Sequence, residues 1–250
     1  MKVVDLTLEV EVLSSRYDLV VVMPMYNEAE NIEKVLSDWS IELKANKLDY
    51  LFVLVNDGST DKTEEIVRGI TGVEIVLINK RNSGHGRSVR LGYDYAVQCV
   101  NAEFVLQIDS DGQCDPTYFK EFWKLRLDFD FLIGSRVARG DGLPRLLTSR
   151  VSTLLSSLVV KRYIYDANTP YRLIRKDALK EILHYIRPSF DIHNVAVTYV
   201  AYWLDLRVKR LEISFPERAG GENSINLRSV YHLGSNMLFE LSKLYKSLNK

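Results

Sequence analysis

Hydrophobic positions along the first half of the chain come in blocks separated by short polar segments. Leu19-Val20-Val21-Val22-Met23 is a continuous apolar run of the kind that fills a strand buried on both faces, and Pro24 ends it. Ile32, Val35, Leu36, Trp39 and Leu43 then recur at helical spacing. Leu51 to Val55 is a second buried run. It closes in Asn56-Asp57-Gly58-Ser59-Thr60-Asp61, a turn entering a helix with Ser59, Thr60 or Asp61 as N-cap. Val73 to Ile78 is a third strand, and a polar, glycine-containing loop from Asn79 to Gly86 leads to a helix near Arg87 to Val100. Phe104-Val105-Leu106-Gln107-Ile108 is the next strand, Pro116 opens another helix, and Phe129 to Ile133 is one more strand.

Strands alternating with helices predict an α/β domain with a mainly parallel sheet flanked by helices. In such a sheet, ligands bind beyond the carboxyl ends of the strands. The polar signals fall there: Pro24-Met25-Tyr26-Asn27-Glu28, Asn56-Asp57-Gly58-Ser59, Asp109-Ser110-Asp111 and Gly134-Ser135-Arg136. The second half is less regular. Arg145 to Tyr163 reads as an amphipathic helix, Asp166 to Arg175 as a turn followed by an edge strand, and Asn194 to Leu204 as a buried helix. Arg207 to Phe215 reads as a strand, Glu217 to Asn226 as a polar loop, and Ile225 to Leu248 as a C-terminal amphipathic helix with Lys243, Lys246 and Lys250 near its end.

Asp109-Ser110-Asp111 carries the clearest chemistry. In extended chain, residues i and i+2 point the same way, so both carboxylates can reach one hard cation. Mg²⁺ or Mn²⁺ held by one or two carboxylates shares its remaining sites with water and substrate phosphates.

Composition narrows the alternatives. The chain has 250 residues, with 33 Lys plus Arg against 33 Asp plus Glu, so no global basic field points to nucleic acid. Cys99 and Cys114 form neither a disulfide framework nor a zinc spacing, and the four histidines are scattered. These features suit a reducing, cytoplasmic compartment. The segment Met1 to Asp18 carries Asp5, Glu9 and Glu11, unlike a signal peptide, and no uncharged run is long enough to span a bilayer. A protein of this kind that meets a membrane lies on it.

Together the segments Val20 to Glu28, Val55 to Asp61, Asn82-Ser83-Gly84-His85-Gly86 and Ile108 to Asp111 resemble family 2 glycosyltransferases, which have the GT-A fold. Ile133-Gly134-Ser135-Arg136 and Arg218 to Ser224 are similar to the branch containing dolichyl- and polyprenyl-phosphate sugar transferases. The resemblance implies a catalytic GT-A domain over 1–215, with a nucleotide-sugar-binding half at 1–135 and an acceptor half at 136–215, then a C-terminal loop and helix at 216–250. It implies an inverting transfer from a nucleoside diphosphate sugar, UDP- or GDP-linked. Pro24, Tyr26, Asn27, Glu28 and Asp57 would hold base and ribose. Gly84 and Gly86 would let the backbone approach the nucleotide, Arg87 would approach the diphosphate, and Asp109 and Ser110 would lie near ribose or sugar. Asp111 would be the principal metal ligand, helped by Asp109 and Gln113.

The acceptor stays open between two classes. A lipid phosphate needs cationic positioning rather than a base, and Arg136, Arg150 and Arg218, with Ser224, are its candidates. A saccharide hydroxyl needs a carboxylate base, for which Asp191 and Asp166 are available. Phe190-Asp191-Ile192-His193 departs from the Glu-Asp pair of many saccharide-acceptor relatives, and His193 is better suited to packing or capping. Asp166 to Leu173 resembles a segment crossing beneath the acceptor site, where Asp166 would orient Arg172 or touch the donor sugar. The C-terminal helix can pack on its own domain, join a dimer, or lie peripherally on the cytoplasmic membrane face. A nucleotide-sugar-binding scaffold without turnover is the non-enzymatic alternative. A haloacid-dehalogenase-like phosphatase fits poorly, because its acidic motif comes early in the chain. A nucleotidyltransferase lacks its glycine-rich loop here.

Overall fold

The computed structural model describes residues 2–5, 13–136, 167–215 and 239–248. The strands are β1 (Lys2–Asp5), β2 (Arg16–Met25), β3 (Tyr50–Asn56), β4 (Ile75–Asn79), β5 (Asn101–Gln107), β6 (Phe131–Arg136), β7 (Arg172–Arg175) and β8 (Val208–Ile213). The helices are α1 (Ile32–Ala45), α2 (Thr63–Gly69), α3 (His85–Cys99), α4 (Phe119–Leu125, entered through a 3₁₀ turn at Pro116–Tyr118), α5 (Lys176–Tyr185), α6 (His193–Trp203) and α7 over 239–248.

The strands form one sheet in the order β1-β4-β3-β2-β5-β7-β6-β8. Every pairing is parallel except the two made by β7. The chain runs outward from β2 to β3 and β4, then returns to β5 on the other side of β2. That reversal opens a crevice at the carboxyl ends of β2 and β5, where ligands bind in sheets of this type.

Each central strand is buried on both faces. Val20, Val22, Val53, Val55 and Val105 pack against α3, α5, α6 and α7, whereas Leu19, Val21, Met23, Leu54 and Leu106 pack beneath α1, α2 and α4. The expected α1 stripe is the face that is buried, with Trp39 edge-on to Phe119 at 6.0 Å. Within α7, Leu241, Leu244 and Leu248 join the α3 side of the core. Among the described residues no helix is long and apolar enough to cross a membrane.

Three local expectations change. The β2 strand runs through Pro24 and pairs it with Val55. Its β5-facing pairs have stopped at Val22 opposite Gln107, so the absent proline N–H breaks no ladder bond there. The α2 helix starts at Thr63, one residue later than an Asp61 N-cap would place it. Asp61 still closes that turn, because its Oδ1 accepts the Thr63 N–H at 3.0 Å. The segment expected as an edge strand is β7, and it lies inside the sheet between β5 and β6. Its register sets Arg172 opposite Gln107 and Leu173 opposite Leu106.

Helix α3 lies close on the sheet because residue 92 is glycine. A Cβ there would drive into the Val22 side chain and come within 3.3 Å of Val55 Cγ2. Gly92→Ala gains helix propensity but overpacks this contact, which costs about 1–3 kcal/mol. We expect a lower melting temperature in Gly92→Ala and recovery in the Gly92→Ala/Val22→Ala pair, read by thermal denaturation.

Candidate functional site

The crevice predicted by the strand order is a cleft of about 260 Å³. Its walls include Pro24, Tyr26 and Glu28 after β2, Asp57 after β3, Gly84 and His85 at the start of α3, and Asp109, Ser110 and Asp111 after β5. Four chain segments far apart in sequence therefore converge on one space.

The loops are tied together by side chains that would otherwise pass for turn chemistry. The Asn27 backbone adopts a positive φ of 55°, its N–H donates to Ser59 Oγ at 3.0 Å, and its Oδ1 accepts the Thr60 N–H at 2.8 Å. The Glu28 N–H donates to Thr63 Oγ1 at 2.8 Å and the Ala29 N–H to Asp61 Oδ2 at 3.1 Å. Burial works to raise the Asp61 pKa, but the hydrogen bonds from Thr63 and Ala29 outweigh it and hold the carboxyl below its usual range. Asn27 thus braces the β2 loop against the β3 loop, and Tyr26, 46% exposed, stands at the cleft rim.

Asp57 anchors the third loop. Its Oδ1 accepts the Ser83 N–H at 2.8 Å, its Oδ2 accepts the Gly84 N–H at 2.9 Å, and the Lys80 ammonium pairs with Oδ1. The Lys80 and Asp57 side chains are only 9% and 7% exposed. Lys80 also donates to Ser83 Oγ at 2.6 Å. A carboxylate offers about four lone-pair sites, and three are taken here, so Asp57 retains one acceptor direction. Gly58, at φ +71°, lets this loop close, because a Cβ would come within 2.8 Å of the Asn82 nitrogen.

The acidic pair is held from two sides. The Ser110 hydroxyl donates to the Pro24 carbonyl at 2.9 Å, which joins the ends of β5 and β2. Asp111 Oδ1 accepts the Gln113 N–H at 3.1 Å, an Asx turn that orients the carboxylate. Asp109 Oδ1 lies 3.0 Å from His85 Nε2. Desolvation pulls the His85 pKa down, but Asp109, by charge and hydrogen bond, and the charges of Asp111 and Asp57 outweigh it, and the pKa is raised.

Of the predicted site residues, Asn27, Gly86, Arg87, Gln113 and Asp191 do not line the cleft. Arg87 donates from Nε to Asp191 Oδ1 at 2.9 Å and is not among the cleft-lining residues. Asp191, 68% exposed at its side chain, meets the first turn of α3, where a Cβ on Gly86 would collide with its carbonyl oxygen. His193 opens α6 as a packed residue, 1% exposed, its ring 5.7 Å from that of Tyr93. Arg172 is fully buried and donates to Thr169 O at 2.6 Å, Thr198 Oγ1 at 2.9 Å and the Ala167 carbonyl. The backbone of Arg136 ends β6 opposite Ile213. Asp166, Arg150, Arg218 and Ser224 lie outside the described residues.

Sequence reasoning assigned no role to His85 or Lys80. Both had a readable signal, a histidine between two glycines at a helix start and a lysine directly after a strand. Their partners, Asp109 and Asp57, are distant in sequence.

A divalent cation fits the donor set. Among the described residues no group of three or more His, Cys, Asp or Glu forms a metal cage. Two hard carboxylates on an open cleft instead match a cation that completes its shell with phosphate oxygens and water.

A sequence profile for glycosyl transferase family 2 matches residues 20–183. An uncharacterized protein of Methanocaldococcus jannaschii is 26% identical, with 79% of this chain and 98% of that protein covered. The undecaprenyl-phosphate 4-deoxy-4-formamido-L-arabinose transferase of Photorhabdus laumondii is 24% identical over 87% of this chain, which spans only 66% of that enzyme's length. Among solved structures, Mycobacterium tuberculosis glucosyl-3-phosphoglycerate synthase with Mn²⁺, UDP-glucose and phosphoglyceric acid superposes with a TM-score of 0.66, at 16% identity over 92% of this chain and 80% of that one. Staphylococcus aureus TarS with UDP-GlcNAc gives 0.57, at 20% identity over 92% and 71%.

The two histidines titrate in opposite senses around their ordinary value of 6.5. His85 has a raised pKa, so its contribution to stability is complete below the unfolded value and is lost as pH rises through the higher folded value. His193 is held well below 6.5, first by burial and then by Arg90 and Arg172, so its contribution is lost as pH falls below 6.5. In metal-free protein, His85→Gln should flatten the decline of melting temperature above pH 6.5, and His193→Phe should flatten the decline below it. Thermal melts across the range from roughly pH 5 to pH 9 check both.

Proposed function

The chain belongs to glycosyl transferase family 2, and from that membership we propose that it transfers a sugar from a nucleoside diphosphate to a polyprenyl-phosphate-type lipid acceptor. Its fold is the GT-A arrangement of that family. One observation carries the donor half of the reading. Asp109 and Asp111 stand at the sheet's reversal point, in the same cleft as the loops after β2, β3 and β4.

Asp109 and Asp111, adjoined by Gln113, would hold Mg²⁺ or Mn²⁺. The bound cation supplies Lewis-acid neutralisation of the departing diphosphate. The rest belongs to the chain itself. Tyr26 offers a ring face to the nucleobase at the cleft rim. Asp57 turns its remaining acceptor direction toward a base N–H or a ribose hydroxyl, while Lys80 keeps the carboxylate from being an uncompensated buried charge. His85, half exposed at the start of α3, offers a donor on the diphosphate side of Asp109. Gly84, at φ +99°, leaves that approach open, with nothing within 4 Å of the place a Cβ would take.

The lipid-phosphate acceptor rests on the Photorhabdus relative's name and on the motif around Arg136. A phosphate monoester is mostly dianionic at pH 7, so the chain needs to orient it and need not deprotonate it. A saccharide hydroxyl is the second reading. It is favoured by Asp191, a largely exposed carboxylate beside the first turn of α3.

Thermal shifts with UDP, GDP, CDP and their sugar conjugates, each with and without Mn²⁺, test the donor site. One nucleotide should raise the melting temperature in a metal-dependent way, by about 2.7 kcal/mol of stabilisation at 100 times its dissociation constant. Asp111→Asn should abolish that rise while its ligand-free melt stays close to wild type. A metal-dependent rise that survives in the variant would remove Asp111 from the metal site.

Asp191→Ala separates the acceptors. Loss of an exposed ion pair costs about 0–1 kcal/mol, so the variant should fold normally. Transfer to polyprenyl phosphate should persist in it. A loss on the order of 100-fold in kcat, with donor binding intact, would mark Asp191 as a general base and favour the hydroxyl acceptor.

A further inference from the structure

Beneath Asp109 lies a polar layer that the proposed chemistry does not use. Gln107 precedes Asp109 by two residues, faces the α3 side of the sheet and is fully buried. Its Oε1 accepts the Tyr93 hydroxyl at 2.8 Å. Helix α3 thus grips the end of β5 at two levels, with His85 on Asp109 and, two turns later, Tyr93 on Gln107. The Tyr93 ring lies against His193 at 5.7 Å, and Gln107 faces Arg172 across the sheet. Arg172 reaches Thr198 Oγ1 at 2.9 Å and Thr169 O at 2.6 Å, and Thr198 Oγ1 donates to the Asn194 carbonyl at 2.9 Å. Gln107, His193, Asn194, Thr169, Thr198 and Arg172 are all at most 3% exposed, so bulk water does not reach them.

Within this layer, and among the described residues, Gln107 Nε2, both ring nitrogens of His193, Asn194 Oδ1 and Thr169 Oγ1 have no hydrogen-bond partner. Buried polar atoms are almost always satisfied, and an orphaned one is costly. Five such atoms around one tyrosine and one arginine are too many for an apolar core. They include donors and acceptors together: an amide NH₂, a neutral imidazole with one of each, an amide oxygen and a hydroxyl. That mixed set suits neither a cation, which needs acceptors, nor an anion, which needs donors. It suits a ligand that both donates and accepts.

We propose that this layer is a binding site for internal water between β5, β7, α3 and the start of α6. At about three hydrogen bonds per buried water, five open atoms call for roughly two molecules. They would complete Gln107 and His193 and so make the floor under Asp109 a hydrogen-bonded unit. The site is independent of the identity of donor or acceptor.

The sign of a stability change tests it. Thr169→Val keeps side-chain shape and His193→Phe keeps a flat, slightly larger ring, and both remove open polar atoms. If those atoms are bare, stripping them relieves a cost and the melting temperature rises. If they hold water, stripping them removes bonds and strands the neighbouring atoms. We expect each variant of the full chain to melt lower by about 2–4 °C at pH 8, where His193 is neutral in both states. In a wild-type crystal structure at roughly 1.5 Å, ordered water should lie within hydrogen-bond distance of Gln107 Nε2 and of a His193 ring nitrogen. An unchanged or raised melting temperature in both variants overturns the proposal. So does a wild-type crystal structure in which the layer is dry or its atoms pair directly with protein groups.

Discussion

Strands β2 and β5 pair in parallel from Arg16 opposite Asn101 to Val22 opposite Gln107, and where the pairing stops both chains turn into cleft loops. Both strands are packed on each face, so a slip of one residue, which carries every side chain to the opposite face, would break the close-packed fit on both. The Ser110 hydroxyl on the Pro24 carbonyl extends that registration one step beyond the ladder. The positions of Asp109 and Asp111 relative to Tyr26 and Glu28 are therefore set by sheet packing rather than by the loops themselves. Asp57 repeats the device on the neighbouring strand, with one carboxylate taking the place of a further stretch of sheet.

Much of this was legible in the chain. Val20-Val21-Val22 and Leu51 to Val55 have no alternation, and a strand without alternation must be covered on both sides. The stripe from Ile32 to Leu43 was equally direct. From these the parallel sheet and its reactive edge follow, and the acidic pair falls on that edge. The place of β7 did not follow. Four residues of strand carry no mark of which neighbours they join, and an antiparallel strand inserted between β5 and β6 is a property of the assembled sheet. Pro24 misled because proline ends a strand only where its missing N–H would have been used.

The candidate site was legible by type and less so by partnership. Asp57, Asp109, Asp111 and the Gly84–Gly86 turn could be picked out as residues suited to nucleotide and metal. That Asp57 is already engaged by Lys80 and the 83–84 backbone, that Asn27 braces a loop, and that Arg87 faces Asp191 could not. Each of these is a contact between segments brought together only by folding. Side chains that bear charge near a cleft have two competing uses, holding the cleft and holding its contents. Local sequence does not separate them.

The packing of Gly86 against the Asp191 carbonyl joins two parts of the molecule that otherwise belong to different halves of the chain. No side chain fits at 86 unless the backbone at 191 retreats, and that backbone leads directly into α6. Helix α3 and the segment before α6 are thus geared to each other by contact of main chain with main chain. The two positions therefore behave as one mechanical unit: a side chain placed at 86 would have to be matched by a rebuilt turn at 191, and with it a new placement of the carboxylate that Arg87 now holds.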